Sequence, residues 1–198
     1  MKKLFFSSAI LLMIFNNLEA QSGTKALLII DIQDFYFPGG SSALVDPEKA
    51  AANAALLLDS FRSEKLPVIH VRHNAKAGAE INKLVRPLPS EKVFSKDEVN
   101  CFLGTGLSDY LKSLKTDTLI ICGMQTHMCV EAATRAASDM GYKCILIHDA
   151  CATKDLKFND KIIKAEDVHY STLSTLRNYA TIVSTDSYLN KKYKQIIQ

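Results

Sequence analysis

The sequence predicts an α/β fold: a three-layer αβα sandwich with a mostly parallel, Rossmann-like sheet of five to six strands. Two observations support this prediction. Short apolar runs such as LLII (27–30) and LIIC (119–122) alternate with longer segments whose apolar residues recur at helical spacing. A continuously apolar strand is buried on both faces, which requires helices on both sides of a parallel sheet. With 198 residues and 47% hydrophobic content, the chain is long enough for one domain with a sizeable core.

The first twenty residues differ in kind from the rest. Lys2 and Lys3 precede an apolar run at 4–15, and a short polar stretch then ends in Ala20. This layout predicts a signal peptide at 1–20, a mature domain at 21–198, and export to the periplasm or the extracellular space. Because twelve apolar residues are too few to span a bilayer comfortably, we expect no membrane association of the mature form.

The charge and cysteine content exclude some classes of function. Without its first twenty residues the chain has 22 basic and 20 acidic side chains, a balance that predicts no nucleic-acid partner. Five cysteines, an odd number, leave at least one thiol unpaired in an exported monomer. No C-x-x-C pair occurs, so the sequence does not indicate a thioredoxin-like or zinc-ribbon site.

The elements are predicted in order from the amino end. The apolar run at 25–30 is the first strand and ends at Asp31. A helix follows at 47–65, because Asp46 can cap it and Pro47 suits a first helical turn. The segment PVIHVRH at 67–73 is the second strand. A long connection then precedes a helix near 107–115.

The second half of the chain again alternates predicted strands and helices. A strand at 118–122 meets Gly123, and a helix at 129–140 ends at Gly141. The remaining elements are a strand at 142–148, a helix at 166–179 and a last strand at 180–184.

Three polar residues are candidates for one site. Cys129 lies at a strand-to-helix junction, where ligands bind in parallel sheets and where the helix dipole favours a thiolate. Asp31 would face the same crevice if the strand order reverses between its strand and the strand before Gly123. Lys96, in an irregular stretch after the long connection, could hold both groups as anions or decide which carries the proton. Taken singly, each residue also has an ordinary structural explanation in packing, capping or solvation.

Three segments of the chain resemble the signature regions of the isochorismatase-like cysteine hydrolases, which include nicotinamidases and other small-amide hydrolases. They read LLIIDIQDFYFPGG, VFSKDEVNCFLGTGL and IICGMQTHMCVEAATRAASDMGYKCILIHDACAT. The resemblance extends over 25–184 and implies a catalytic triad of Asp31, Lys96 and Cys129. Lys96 is preferred to Lys92 because the family lysine stands six residues before a phenylalanine, here Phe102.

The resemblance also implies the surroundings of the triad. The peptide bond between Met124 and Gln125 should be cis, and the N–H groups of Gln125 and Cys129 should hold the oxyanion of the reaction. Tyr36 stands where the family has an aromatic residue that lines the pocket, and we expect Phe35 and Met124 to bind substrate beside it. The implied function is hydrolysis of the C–N bond of a small-molecule amide through a Cys129 thioester, without a cofactor. The resemblance also suggests a homo-oligomer, since family members commonly form dimers or tetramers.

Departures from family members narrow this function. Nicotinamidases carry a metal-binding Asp/His cluster after the second strand, whereas this chain has only His70 and His73 there. On a strand, residues three apart point to opposite faces, so we expect these two to be structural or substrate-lining and predict no metal site. The true isochorismatases cleave a vinyl ether and lack the nucleophilic cysteine, so Cys129 argues against that chemistry.

Three other interpretations remain open at this stage. One is a non-catalytic α/β binding domain, although no G-x-G-x-x-G fingerprint indicates a dinucleotide ligand. Another is a redox-responsive domain in which Cys129 pairs with Cys101 or Cys151. The third is a metal-independent nicotinamidase-like enzyme.

Overall fold

The computed structural model describes residues 24–191. The predicted signal peptide at 1–20 and the last seven residues of the predicted domain lie outside the described residues. Within 24–191, no helix has both the length and the apolar character needed to cross a bilayer.

The described residues form a six-stranded parallel sheet with helices on both faces, which confirms the predicted fold class. The strands of this sheet are β1 (Thr24–Ile30), β2 (Val68–His73), β3 (Lys92–Lys96), β4 (Thr116–Met124), β5 (Lys143–Ala152) and β8 (Thr181–Val183). The helices are α1 (Pro47–Ser63), α2 (Leu107–Ser113), α3 (Glu131–Asp139), α4 (Ala165–Leu176) and α5 (Thr185–Leu189). A separate antiparallel hairpin consists of β6 (Leu156–Phe158) and β7 (Lys161–Ile163).

The alternation of side chains along β1 explains the three layers. Leu27 and Ile29 are buried in the core on the side of α1 and α5. Leu28 and Ile30 are buried in the opposite core, with α2, α3 and α4. Because successive side chains of a strand point to opposite faces, a continuously apolar strand contributes to both cores at once.

The order in which strands are added to the sheet reverses at β1. The order is β3-β2-β1-β4-β5-β8, so the chain builds outward through β2 and β3 and then returns to the other side of β1. At this switch point the connections after β1 and β4 leave toward opposite faces and open a crevice at the carboxyl edge. Ile30 and Gly123 are register partners, so Asp31 and the turn after β4 are neighbours.

Two local predictions were wrong. The stretch before Asp97 was expected to be irregular, but it forms the edge strand β3, which pairs with β2. The side chains of Phe94 and Lys96 are buried, whereas that of Ser95 between them is exposed. Cys129 does not open a regular helix: residues 126–130 form a π-helical turn, and α3 begins at Glu131. The sequence of β3 contains too few apolar residues to indicate a strand, since its second inward position is a lysine.

Gly123 is the point of closest approach between β1 and β4. Its φ is +135°, and a Cβ atom built there would lie 2.0 Å from the carbonyl oxygen of Ile30. A residue with a side chain therefore fits neither the backbone conformation nor the space.

We expect Gly123→Ala to lower the free energy of unfolding by about 3 kcal/mol or more, because backbone strain and steric overlap add. Gly141→Ala is the matched control: it also has a positive φ (+89°), but its Cβ would meet open space among the described residues. The control should lose only about 1–2 kcal/mol. Urea unfolding of both variants measures the difference, and equal losses would contradict this account of Gly123.

Candidate active site

Asp31 follows β1 directly at the switch point. Its backbone is left-handed, with φ 51°, a conformation that aspartate tolerates better than most residues. Its N–H donates to the carbonyl oxygen of Val71 on β2 at 2.9 Å. The side chain is fully buried, so its carboxylate needs a compensating partner inside the protein.

That partner is Lys96, at the end of β3. Its side chain is also fully buried, and Nζ lies 2.8 Å from Asp31 Oδ2. The same nitrogen donates to Cys129 Sγ at 3.3 Å. The backbone of Lys96 is held in place because its carbonyl oxygen accepts a hydrogen bond from the N–H of Asn74 at 2.8 Å. One ammonium group therefore bridges the carboxylate and the thiol.

Cys129 is presented by the π-helical turn after β4. The N–H groups of Met128 and Val130 both donate to the carbonyl oxygen of Gln125, at 3.1 and 3.2 Å, which closes the turn around the cysteine. Only 5% of Cys129 is exposed.

Two hydroxyl contacts tie this turn to the end of β5. Thr126 Oγ1 donates to the carbonyl oxygen of Ala152 at 3.3 Å, and His127 Nδ1 lies 2.6 Å from Thr153 Oγ1. The structure thus brings together the three residues predicted from three separate segments, Asp31, Lys96 and Cys129.

The electrostatics of the site favour a protonated thiol at rest. Burial and the neighbouring Asp31 carboxylate raise the pKa of Cys129 to about 12, against the opposing effect of Lys96. Burial also raises the pKa of Asp31, although Lys96 counteracts it. Burial acts to lower the pKa of Lys96, but attraction to Asp31 and Cys129 outweighs it and the pKa is raised.

This result corrects the expectation that the junction favours a thiolate. That expectation counted a helix dipole and a cation but not the desolvation of the thiol or the negative charge of Asp31. With the ammonium already neutralised by Asp31, the resting site holds a carboxylate, an ammonium and a thiol.

The other predicted site residues lie as follows. The bond between Met124 and Gln125 is cis. Gln125 is buried, and its Nε2 donates to the hydroxyl of Tyr36 at 3.3 Å, while burial raises the pKa of Tyr36 to about 12. The ring of Phe35 packs edge-on against Tyr36, with centroids 4.2 Å apart. Met124 is fully buried in the core on the α1 side. Their contacts with substrate stay predictions.

The two histidines of β2 have different partners. His70 Nε2 lies 3.0 Å from Glu91 Oε2, and the same carboxylate is held by Arg62 at 2.7 Å. His73 Nδ1 lies 3.3 Å from Lys96 Nζ, a contact that the sequence analysis missed because it did not recognise β3. Among the residues that the structure describes, no group of three or more His, Cys, Asp or Glu side chains is arranged to hold a metal ion.

The predicted redox partners of Cys129 are also located. Cys101 is fully buried and Cys151 nearly so, at 7% exposure. All five cysteines fall within 24–191 and are free thiols in the structure.

Comparisons with known proteins agree on one family. The sequence profile of the isochorismatase domain matches residues 25–186. The chain is 44% identical over 178 residues to YddQ, an uncharacterized isochorismatase family protein of Bacillus subtilis, covering 84% of this chain and 99% of the relative. It is 32% identical over 141 residues to a streptothricin hydrolase of Streptomyces noursei, covering 67% of this chain and 51% of that enzyme. A crystal structure described as an isochorismatase hydrolase, from Oleispira antarctica, has a TM-score of 0.82 at 40% identity, covering 85% of this chain and 97% of that one.

Asp31 and Lys96 should have opposite effects on the pKa of the Cys129 thiol. In Asp31→Asn the competing carboxylate is lost, so the pKa of Cys129 should fall by about one unit or more. In Lys96→Met the cation is lost, so that pKa should rise. Lys92→Met, at the exposed start of the same strand, is the matched control and should leave the pKa of Cys129 unchanged.

The measurement is the rate of Cys129 alkylation as a function of pH, with the modified peptide quantified by mass spectrometry. Shifts in the same direction for Asp31→Asn and Lys96→Met would show that Lys96 is not shared between the two groups.

Proposed function

The chain belongs to the isochorismatase family, and on that premise we propose that it is a cysteine hydrolase that cleaves the C–N bond of a small-molecule amide through a Cys129 thioester. The observation that carries the proposal is the bridging position of Lys96 Nζ, 2.8 Å from Asp31 and 3.3 Å from Cys129. Nucleophile, base and orienting cation are the parts that acyl transfer to a thiol needs.

The burial of these groups supports a small substrate. Asp31 and Lys96 have no exposed side-chain surface, and Cys129 is 5% exposed. A folded protein or a broad peptide segment cannot reach a thiol at this depth, whereas a narrow acyl group can. The similarity to a streptothricin hydrolase is consistent with a non-peptide amide.

The first half of the reaction starts from the protonated thiol. Asp31, whose pKa is raised by burial, takes the thiol proton as Cys129 Sγ attacks the carbonyl carbon. Lys96 stabilises the sulfur as it becomes negative. The electron pair of the C=O bond moves onto oxygen, where the N–H groups of Gln125 and Cys129 are proposed to hold it. Loss of one such donor typically costs about 3 kcal/mol of transition-state stabilisation.

The second half returns the enzyme to its starting state. The protonated Asp31 gives its proton to the amine nitrogen, the C–N bond breaks, and the acyl group remains on sulfur as a thioester. Water then attacks the thioester while Asp31 accepts its proton, and the thiolate leaves and is reprotonated. The products are one carboxylic acid and one amine, with Cys129 regenerated as a thiol.

Buried groups beside the thiol form the proposed acyl pocket. Gln125 and Tyr36 are each 6% exposed and are joined by a hydrogen bond, and Phe35 packs on the tyrosine ring. This combination offers an apolar wall with one amide and one hydroxyl, which suits a planar acyl group with a single polar substituent.

We expect Cys129→Ala to abolish amide hydrolysis while the protein remains folded, because the variant has no nucleophile. The assay is release of amine or ammonia from a panel of small amides that includes nicotinamide, with streptothricin as a further test compound. Cys144→Ala is the matched control and should retain activity, because Cys144 lies at the amino end of β5, on the edge of the sheet opposite to the site. A trapped acyl-enzyme, seen as a mass increase on the peptide that contains Cys129, would identify the covalent step.

Hydrolysis by the Cys129→Ala variant at the wild-type rate would contradict the proposal. Absence of turnover over the whole panel, together with an inert Cys129, would favour the non-catalytic binding domain instead.

A further inference from the structure

We propose that His73 is a positioning residue for this reaction: its Nδ1 accepts a hydrogen bond from Lys96 and holds the ammonium in place between Asp31 and Cys129. The kinetic consequence rests on the proposed function, whereas the hydrogen bond and its effect on the thiol do not. In the proposed mechanism the contacts with substrate belong to other residues.

The first support is the number of acceptors around Lys96 Nζ. Asp31 Oδ2 lies at 2.8 Å, Cys129 Sγ at 3.3 Å and His73 Nδ1 at 3.3 Å. A lysine ammonium has three N–H donors and can rotate about its last bond. His73 Nδ1 and Cys129 Sγ are hydrogen-bond partners, and Asp31 Oδ2 lies at ion-pair distance, so three different groups restrict the position of the ammonium.

The second support is the way the backbone holds His73. His73 and Lys96 are register partners on the parallel strands β2 and β3, which brings their side chains together on one face of the sheet. Gln33 is fully buried, and its side-chain amide forms two hydrogen bonds with the His73 backbone. Its Oε1 accepts from the His73 N–H at 2.8 Å, and its Nε2 donates to the His73 carbonyl oxygen at 2.9 Å. The backbone from which the imidazole projects is therefore held independently of the lysine.

The contact also defines the protonation state of the ring. Lys96 has only donors, so Nδ1 of His73 must be the acceptor, and the ring proton is on Nε2. A proton on Nδ1 would instead turn a donor toward the ammonium and remove the hydrogen bond.

Removal of this acceptor should weaken the stabilisation of the developing thiolate. The third N–H would lose its partner, and the ammonium would be free to rotate toward the Asp31 carboxylate and away from sulfur. The attack of Cys129 should slow, and the pKa of its thiol should rise. Because His73 acts through Lys96 and not on the substrate, KM should change little.

The test compares His73→Leu with His73→Asn, two side chains of similar size that differ in their polar atoms. The Asn oxygen is the same number of bonds from Cα as Nδ1 and can accept from Lys96, whereas Leu cannot. We expect His73→Leu to lower kcat roughly tenfold to a hundredfold, with KM changed less than about threefold. At a fixed pH below the thiol pKa, its rate of Cys129 alkylation should fall by about tenfold, which corresponds to a rise of about one unit in that pKa. His73→Asn should stay within about threefold of the wild type in kcat.

The controls separate a positioning role from packing. His148→Leu, a half-buried histidine on β5, should leave kcat and the alkylation profile unchanged. Equal losses in the Leu and Asn variants of His73, or no loss in either, would overturn the proposal. If no amide is turned over, the alkylation profiles still decide: a shift in Leu but not in Asn supports His73 even though the hydrolase proposal fails.

A spectroscopic measurement on the wild type covers the case in which the variants do not fold. Nitrogen-15 NMR of the five histidine rings reports the tautomer of each ring, and the His73 signal is recognised by its sensitivity to Lys96→Met. We expect an unprotonated Nδ1 and a protonated Nε2 at neutral pH. A proton on Nδ1 would overturn the proposal.

Discussion

The site depends on one buried ammonium group, that of Lys96, shared between a carboxylate and a thiol. Removing a charge from water is costly unless it is paired and hydrogen-bonded, so the surrounding structure has to deliver its partners accurately. Asp31 provides the opposite charge at 2.8 Å, and Cys129 and His73 each lie 3.3 Å away. Four segments that are distant in sequence meet at this atom, and the sheet order explains how.

The switch point of the sheet supplies the crevice. The connections that follow β1 and β4 run to opposite faces of the sheet. At Ile30 and Gly123 the two backbones approach too closely for any side chain on the glycine. The edge strand β3 ends at Lys96, whose side chain extends past the end of β2 to Asp31 in the same crevice. Burial and the Asp31 carboxylate raise the pKa of the Cys129 thiol, so the protonated form is favoured at rest.

Much of this arrangement could be predicted from the sequence, for identifiable reasons. The apolar runs of β1 and β4 gave the parallel sheet, and strand-end positions placed Asp31 and Cys129 at one edge. Lys96 was a candidate from its position, and the family resemblance selected it over Lys92, but its strand was missed because β3 has few apolar residues and its buried lysine depends on partners from other segments. The thiol pKa was misjudged for the same physical reason: desolvation and the charge of Asp31 exist only in the folded protein. His73 was noted as a histidine, but without β3 its partner could not be found.

The central claim is that the resting site holds Asp31 as a carboxylate and Cys129 as a thiol around one ammonium. The most direct test is the infrared difference spectrum between the wild type and Cys129→Ser at neutral pH, in which the four other thiols cancel. Our account predicts an S–H stretching band that is present in the wild type and lost in the variant. The absence of such a band in the difference spectrum would mean that Cys129 is already a thiolate, and it would contradict the account.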